Sequence, residues 1–346
     1  MRVNGWGERA RSLCLGGGAA LLWVVAALAP PAQGAEITPF RTVNLSPIVQ
    51  IFGLPAIGTA TVLPKGGGEA SLVFDAANNF AIDETPRDQI VLDGETYRLA
   101  LGLRYGIARG IEGGIELPFV FHSGGELDGF VEWFHDSFGF GTGGRDQVPE
   151  GRLLYTYTRD GVQQFRVDHP NGGIGDIRLT AGIRLYDDES AAPRALALRA
   201  ALKLPTGNSA KLRGSGSVDG SLWLTGSDDY RLGNWGHATV FAAAGGTVMS
   251  KGDVLEGQQK SVAAFGSIGA GWSPFDWFAL KVQTNWHTPL YRGSSLRELD
   301  ADTLQIIGGG TIAFPTGTAL DLGVSEDLNI KTSPDVAFHL ALTQRF

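Results

Sequence analysis

The chain has 346 residues, 43% of them hydrophobic, only 18% charged, and 50 of them glycine. Glycine at about twice its usual share of roughly 7% is too frequent for an ordinary helical domain. A formal net charge of −8 excludes a general nucleic-acid binder, and the length suits either two ordinary domains or one large β-barrel.

Residues 1–35 read as a cleaved signal peptide. Arg2, Arg9 and Arg11 give a positive start, Leu13 to Ala29 is apolar, and Pro30 to Ala35 supplies small residues for cleavage after Gly34 or Ala35. The sole cysteine, Cys14, lies in this segment, so the exported chain carries no disulfide. Without the segment 25 Lys+Arg face 35 Asp+Glu, a net charge of about −10. No later stretch approaches the roughly 18 apolar residues of a membrane helix, which leaves the periplasm or an outer-membrane barrel as destinations.

Residues 36–67 follow. Their core, FRTVNLSPIVQIFGLPAIGTATV, holds prolines that rule out a regular central strand. The segment either plugs a lumen or tucks under a barrel.

Period-two alternation dominates from residue 68 onward. Tyr97, Leu99, Leu101, Leu103, Tyr105 and Ile107 share one face against Arg98, Ala100, Gly102 and Arg104. The same pattern predicts twelve strands, near 68–80, 95–108, 110–122, 173–187, 194–207, 217–227, 236–249, 260–273, 275–288, 302–314, 317–327 and 335–346. The second face carries Gly, Ala and Ser among isolated charges. That suits the inside of a membrane barrel whose apolar face meets lipid.

Tight connections at Arg109-Gly110, Ser273-Pro274 and Pro315-Thr316 fall after even strands, and longer ones after odd strands, as in outer-membrane barrels with periplasmic termini. Residues 228–235 are a longer exception. Tyr97 and Trp286 near the external ends, and Tyr105 and Trp272 near the periplasmic ends, suit the two membrane interfaces. The expected fold is therefore all-β: an antiparallel transmembrane β-barrel of about 12 strands over 68–346.

The connection 123–172 is expected to be a large external loop. Phe130, Trp133, Phe134, His135 and Phe138 lie in a stretch with helical spacing of its aromatics, a short helix that either lies on the headgroup layer or, as its acidic Glu132 and Asp136 favour, folds into the barrel mouth as a constriction. RLLYTYTRDGVQQFRVDH resembles a hairpin turning at Asp160-Gly161.

Chemical motifs are few. Gly139, Gly141 and Gly144 match a dinucleotide fingerprint but follow no strand and open no crossover helix. The six histidines show no metal-ligand spacing, and His135, Asp136 and Ser137 are adjacent in sequence, which rarely builds a triad. No catalytic residue, metal site or cofactor is expected. Asp83, Glu84, Asp88, Asp93 and Glu95 read as an acidic first external loop, either simply solvated or bridged to lipopolysaccharide phosphates by divalent cations.

Lumen-facing parity falls to Arg98, Arg104, Arg178, Arg184, Arg199, Lys203 and Lys281, with Glu112, Glu116 and Asp176 on adjacent strands. If paired, these charges stabilise a small closed interior. A basic surplus left unpaired gives an anion-favouring pore.

The blocks SPIVQIFGLP, LDGETYRLALGLRYG, WFHDSFGFGTGGRD, NGGIGDIRL and LKLPTGN followed by GSGSVDG resemble a Gram-negative outer-membrane family known as domain of unknown function 3187. LKLPTGN and the GSGS-Asp run also resemble barrel transporters linked to phenol and aromatic-compound degradation. The resemblance runs from about Phe40 to Phe346. It implies an outer-membrane barrel and carries over no catalytic residue and no established substrate.

The last strand, with Phe338, Leu340, Leu342 and the terminal Phe346, resembles the C-terminal signal by which barrel-insertion machinery recognises its clients. The expected role is a passive channel for small-molecule solutes, in contact with outer-membrane lipid and lipopolysaccharide and with no nucleic-acid partner. The alternatives are a structural or surface-interaction barrel without transport and a lipid-modifying enzyme. The lipid-facing parity offers an enzyme no nucleophile or base.

Overall fold

The computed structural model describes residues 35–125, 151–188, 193–329 and 331–346. Among these, fifteen antiparallel strands form one sheet that closes on itself. The wall begins with β1 (Gly68–Glu84), β2 (Asp88–Ala108) and β3 (Ile111–Ser123). Three short strands follow in the large connection: β4 (Leu154–Arg159), β5 (Val162–Val167) and β6 (Asn171–Ile174). The wall resumes with β7 (Arg178–Asp187), β8 (Arg194–Lys203), β9 (Asp219–Arg231), β10 (His237–Met249) and β11 (Val262–Phe275). It ends with β12 (Phe278–His287), β13 (Thr303–Ala313), β14 (Thr318–Asp327) and β15 (Val336–Arg345).

Each wall strand pairs with its neighbour around the ring. β15 returns to β1 in register from Glu69↔Arg345 to Asn78↔Val336, so no edge is left open. With β4–β6 outside the ring, the barrel has twelve strands.

Alternation sets the two faces. Leu99, Leu101, Leu103 and Ile107 project outward and exposed, while Arg98 and Ala100 between them are buried inside. The same holds for Leu280 and Val282 against Ala279, Lys281 and Gln283. The outward face is the surface that lipid covers.

Gly68 and Phe346 exchange backbone hydrogen bonds of 2.7 and 3.0 Å at one end. The short connections 109–110, 232–236, 276–277 and 314–317 lie at that same end, which is the periplasmic one in this class of barrel. Trp272 Nε1 donates to the Trp235 carbonyl at this rim, and Trp286 Nε1 donates to Asp302 at the other. Residues 228–235, the exception in the sequence pattern, resolve into longer strands and a turn of 232–236.

Two expectations need correction. Asp83, Glu84, Asp88, Asp93 and Glu95 are not in a loop. β1 and β2 continue in unbroken register to Glu84↔Gln89, leaving only 85–87 as the connection. The first hairpin therefore stands above the others, and its carboxylates meet protein partners. Asp88 lies 3.6 Å from Arg159, Asp93 2.5 Å from Arg152, and Asp83 2.9 Å from Lys331. The stretch 173–187 is also not one strand. β6 and β7 both pair with β3, separated by an irregular segment at 175–177.

β4 pairs with the upper part of β2, and β4 and β5 form a hairpin turning at Asp160 and Gly161, both with positive φ (49° and 75°). It brings Tyr155 and Tyr157, both fully buried, over the barrel mouth. The helical stretch with Phe130, Trp133, Phe134, His135 and Phe138 lies outside the described residues, as do the signal segment, Cys14 and the Gly139–Gly144 run.

Candidate functional site

The interior of the barrel is occupied. Residues 35–67 enter at the periplasmic end, where Ala35 N donates to the Asp276 carbonyl in the β11–β12 turn (2.5 Å). They rise along the inside of β12 in a fixed register of 243 positions. Lys281 Nζ donates to the Thr38 carbonyl (3.1 Å), Phe40 N to Gln283 Oε1 (2.8 Å), and Asn285 Nδ2 to Thr42 Oγ1 (3.1 Å). Asn44 Nδ2 lies 3.1 Å from His287 Nε2, and Tyr291 Oη donates to the Ile48 carbonyl (2.8 Å). Proline and polar residues deny the segment a strand of its own, so wall side chains satisfy the backbone groups that a ladder would otherwise take.

The segment turns at the external end, where Val49 N and Gln50 N donate to the Ser46 carbonyl. It then descends along β9. Gly53 N donates to Asp219 Oδ2 (2.7 Å), Ser221 Oγ to the Gly53 carbonyl (2.7 Å), and Trp223 Nε1 to the Ile57 carbonyl (2.8 Å). A Cβ on Gly53 would come within 2.6 Å of the Asp219 Cβ, so only glycine passes there. Lower down, Arg199 holds the Thr59 and Thr61 carbonyls (2.7 and 2.9 Å), and Leu63 N donates to Glu112 Oε2 (2.8 Å). Gly106 exchanges backbone bonds with Gly66 and Gly67 as the chain enters β1.

Two chemistries seat the plug, an apolar cluster and buried ion pairs, and they meet beside its apex where Asp219 binds both Gly53 and Lys203. Around its apex Ile48, Ile51, Phe52, Leu54 and Ile57 form one apolar cluster with Ile90, Leu92, Tyr155, Tyr157, Trp223, Phe265, Tyr291 and Leu296. Below, charges interlock. Arg104 bridges Glu69 (2.8 Å) and Glu112 (2.7 Å), and Glu112 also takes Arg199 (2.8 Å). Glu69 further receives Arg41 of the plug (2.8 Å) and Arg345 (3.2 Å), and Arg345 pairs with Glu36.

Every lumen-facing charge read from the sequence has an acid or base beside it. Arg98 meets Asp75 (3.4 Å) and Glu116, and Glu116 also meets Arg178 (3.2 Å). Lys203, 1% exposed, sits between Asp176 (2.6 Å) and Asp219 (3.3 Å) with Ser215 and Ser217 beside it. Lys281 pairs with Asp321 (2.9 Å) and lies 4.1 Å from the Phe40 ring centre. Arg184 is half-buried near the periplasmic turn, 3.6 Å from Asp187. This pattern is the closed, internally neutralised interior rather than an unpaired basic pore.

Sequence reasoning missed the other half of these pairs, Glu69, Asp75, Asp219 and Asp321, and His339, which lies 2.6 Å from Asp75; it put Gln283, Asn285 and His287 on the inward face without giving them a role. All share the inward parity of their strands, which is the signal that could have found them. At the C-terminus Leu340 projects outward and exposed, Phe338 and Leu342 share its parity and are half-buried, and the Phe346 ring lies over Gly68.

Similarity to known proteins agrees with the fold. No curated protein matches the sequence. Among solved structures, the COG4313 outer membrane channel from Pseudomonas putida F1 superposes with a TM-score of 0.52 at 14% identity, covering 82% of this chain and 97% of that one. The Ralstonia pickettii toluene transporter TbuX superposes less well, at a TM-score of 0.35 and 10% identity, over 91% of this chain and 97% of that one. The likeness to the channel is one of fold, an outer-membrane β-barrel. The family model described as protein of unknown function DUF3187 matches residues 18–346, and the chain belongs to that family.

Proposed function

We propose that the protein is an outer-membrane channel for small molecules whose lumen residues 35–67 close at rest. The observation that supports this reading is how the plug is held. The twelve-stranded ladder closes without it, through β1–β15 and β2–β3. Between the bonds at its two ends, the wall grips the plug almost wholly through side chains such as Gln283, Asn285, Ser221 and Arg199. Water can replace such bonds when the segment moves, and the wall loses no strand. A barrel that needed only a filled interior could fill it with its own side chains. The fold shared with the outer membrane channel from Pseudomonas putida F1 is in keeping with this reading.

A structural barrel without transport is the second reading, favoured by the complete pairing of the inner charges. Planar-bilayer recording separates the two. Deleting residues 36–67 should convert rare, brief openings into steady conductance. A silent membrane from both inserted proteins overturns the channel reading and favours the structural one.

A further inference from the structure

The external face carries a cavity of about 460 Å³ that the plug and wall do not use. Three separate connections build it: the β4–β5 hairpin with Arg159 and Gln164, the segment between β10 and β11 with Leu255, Gly257 and Gln258, and the segment after β12 with Arg292 and Gly293. From this convergence we infer a binding site for a small organic carboxylate with a short apolar body, which rests on the channel reading for its role and names the solute class that the mouth collects.

The cationic side is specific. Arg292 is exposed and, among the described residues, has no carboxylate partner. Arg159 is held in place, its Nη2 donating to the Gly293 carbonyl (2.5 Å) and its Nε 3.6 Å from Asp88. A guanidinium presents paired N–H donors that match a carboxylate in a planar fork, and Arg292 supplies that fork here while Arg159 is shared with Asp88 and the Gly293 carbonyl.

The rest of the lining offers one apolar side chain, Leu255, with two glycines and the side chains of Gln164 and Gln258. Leu255 is buried against the plug-apex cluster, and the two glycines leave room for a hydrocarbon body. Gln258, 9% exposed, places Oε1 3.1 Å from the Tyr157 hydroxyl, while its Nε2 has no partner among the described residues.

The cavity is joined to the plug. Arg292 N donates to the Gln258 carbonyl (2.8 Å), and the preceding residue, Tyr291, holds the Ile48 carbonyl at the apex and packs edge-on against Phe52, with ring centres 5.6 Å apart. A carboxylate on Arg292 therefore lies one residue from the clamp on the plug.

Calorimetric titration of the refolded full chain in micelles with hexanoate tests the site. Saturable binding is expected, weakened about tenfold by Arg292→Gln, as for loss of a hydrogen bond to a charged group, and less by Arg292→Lys, which keeps the charge. Hexanol in the same micelles should show no saturable binding, and inorganic phosphate should not displace hexanoate. Equal hexanoate binding by the wild type and Arg292→Gln overturns the site. Equal binding of hexanol would reduce it to an apolar groove, and displacement by phosphate would make it a site for phosphate or lipid headgroups. Hexanoate binding by a protein that stays silent in bilayers even without its plug leaves the site standing and sinks the channel reading.

Discussion

The external and periplasmic ends of the plug are seated by different balances of forces. Around the apex, Phe52, Ile48 and Tyr291 exclude water by shape, and the buried charges beside them, Arg178 and Asp219, take up the Phe52 carbonyl and the Gly53 N–H. Around Glu69 and Glu112, ion pairs close the lumen, and each carboxylate serves wall and plug together. The difference teaches that the halves should fail differently. An apolar apex can loosen without harming the wall. A buried charge lattice cannot lose one member without stranding the others.

The largest expected stability effect is in the lower half. Glu112→Ala leaves Arg104 and Arg199 facing each other without their shared acid. It should lower the unfolding free energy by about 3–5 kcal/mol, read from urea unfolding followed by heat-modifiable migration in gels. Wild-type stability in that variant would break the distinction between the halves.

In the upper half Phe52→Ala removes a fully buried ring at a cost of about 3–5 kcal/mol to the plug's seating. Its signature should be local. A cysteine placed at Leu54, a member of the apex cluster and 9% exposed, should be alkylated much faster in this background while the wall unfolds at the same urea concentration. A fall in wall stability equal to that of Glu112→Ala would show the halves to be one unit.

Trp223→Phe keeps the ring beside Phe265 but loses the bond to the Ile57 carbonyl. A loss near 1 kcal/mol is expected, seen as a few-fold rise in the same alkylation rate. No change would assign the descending limb wholly to burial.

The smallest effect belongs outside the lumen. The Arg87 hydrogen bond holds the Asp160 carboxyl below its usual range at the exposed hairpin tip. A depressed carboxylate contributes stability above its unfolded pKa and loses it as pH falls through the folded value. Solvent screens this exposed pair, so Asp160→Asn should alter neither proteolysis of the hairpin nor its pH dependence measurably.

Much of this was legible in the sequence because a membrane wall has a period of two and no exceptions in lipid. Leu99, Leu101 and Leu103 announce a face, and all twelve wall strands follow from that rule. The plug was harder. Its prolines remove periodicity, so FRTVNLSPIVQIFGLP does not say whether it lies in or under the barrel. The clearer mark was on the wall: Lys281, Gln283, Asn285 and His287 put a hydrogen-bonding group at every inward position of β12 beyond Ala279. The acidic stretch from Asp83 to Glu95 misled because charges and Pro86 interrupt the alternation, and a hairpin rising beyond the bilayer has no lipid face to keep it.

The central claim is that conduction requires residues 35–67 to leave their seat. Thr42→Cys with Asn285→Cys, at side chains that hydrogen-bond across the plug and β12, would tether the rising limb. Single-channel recording before and after reduction measures the claim directly. The expected result is an oxidised protein that stays closed and a reduced one that opens. Equal conductance with the tether formed would contradict it.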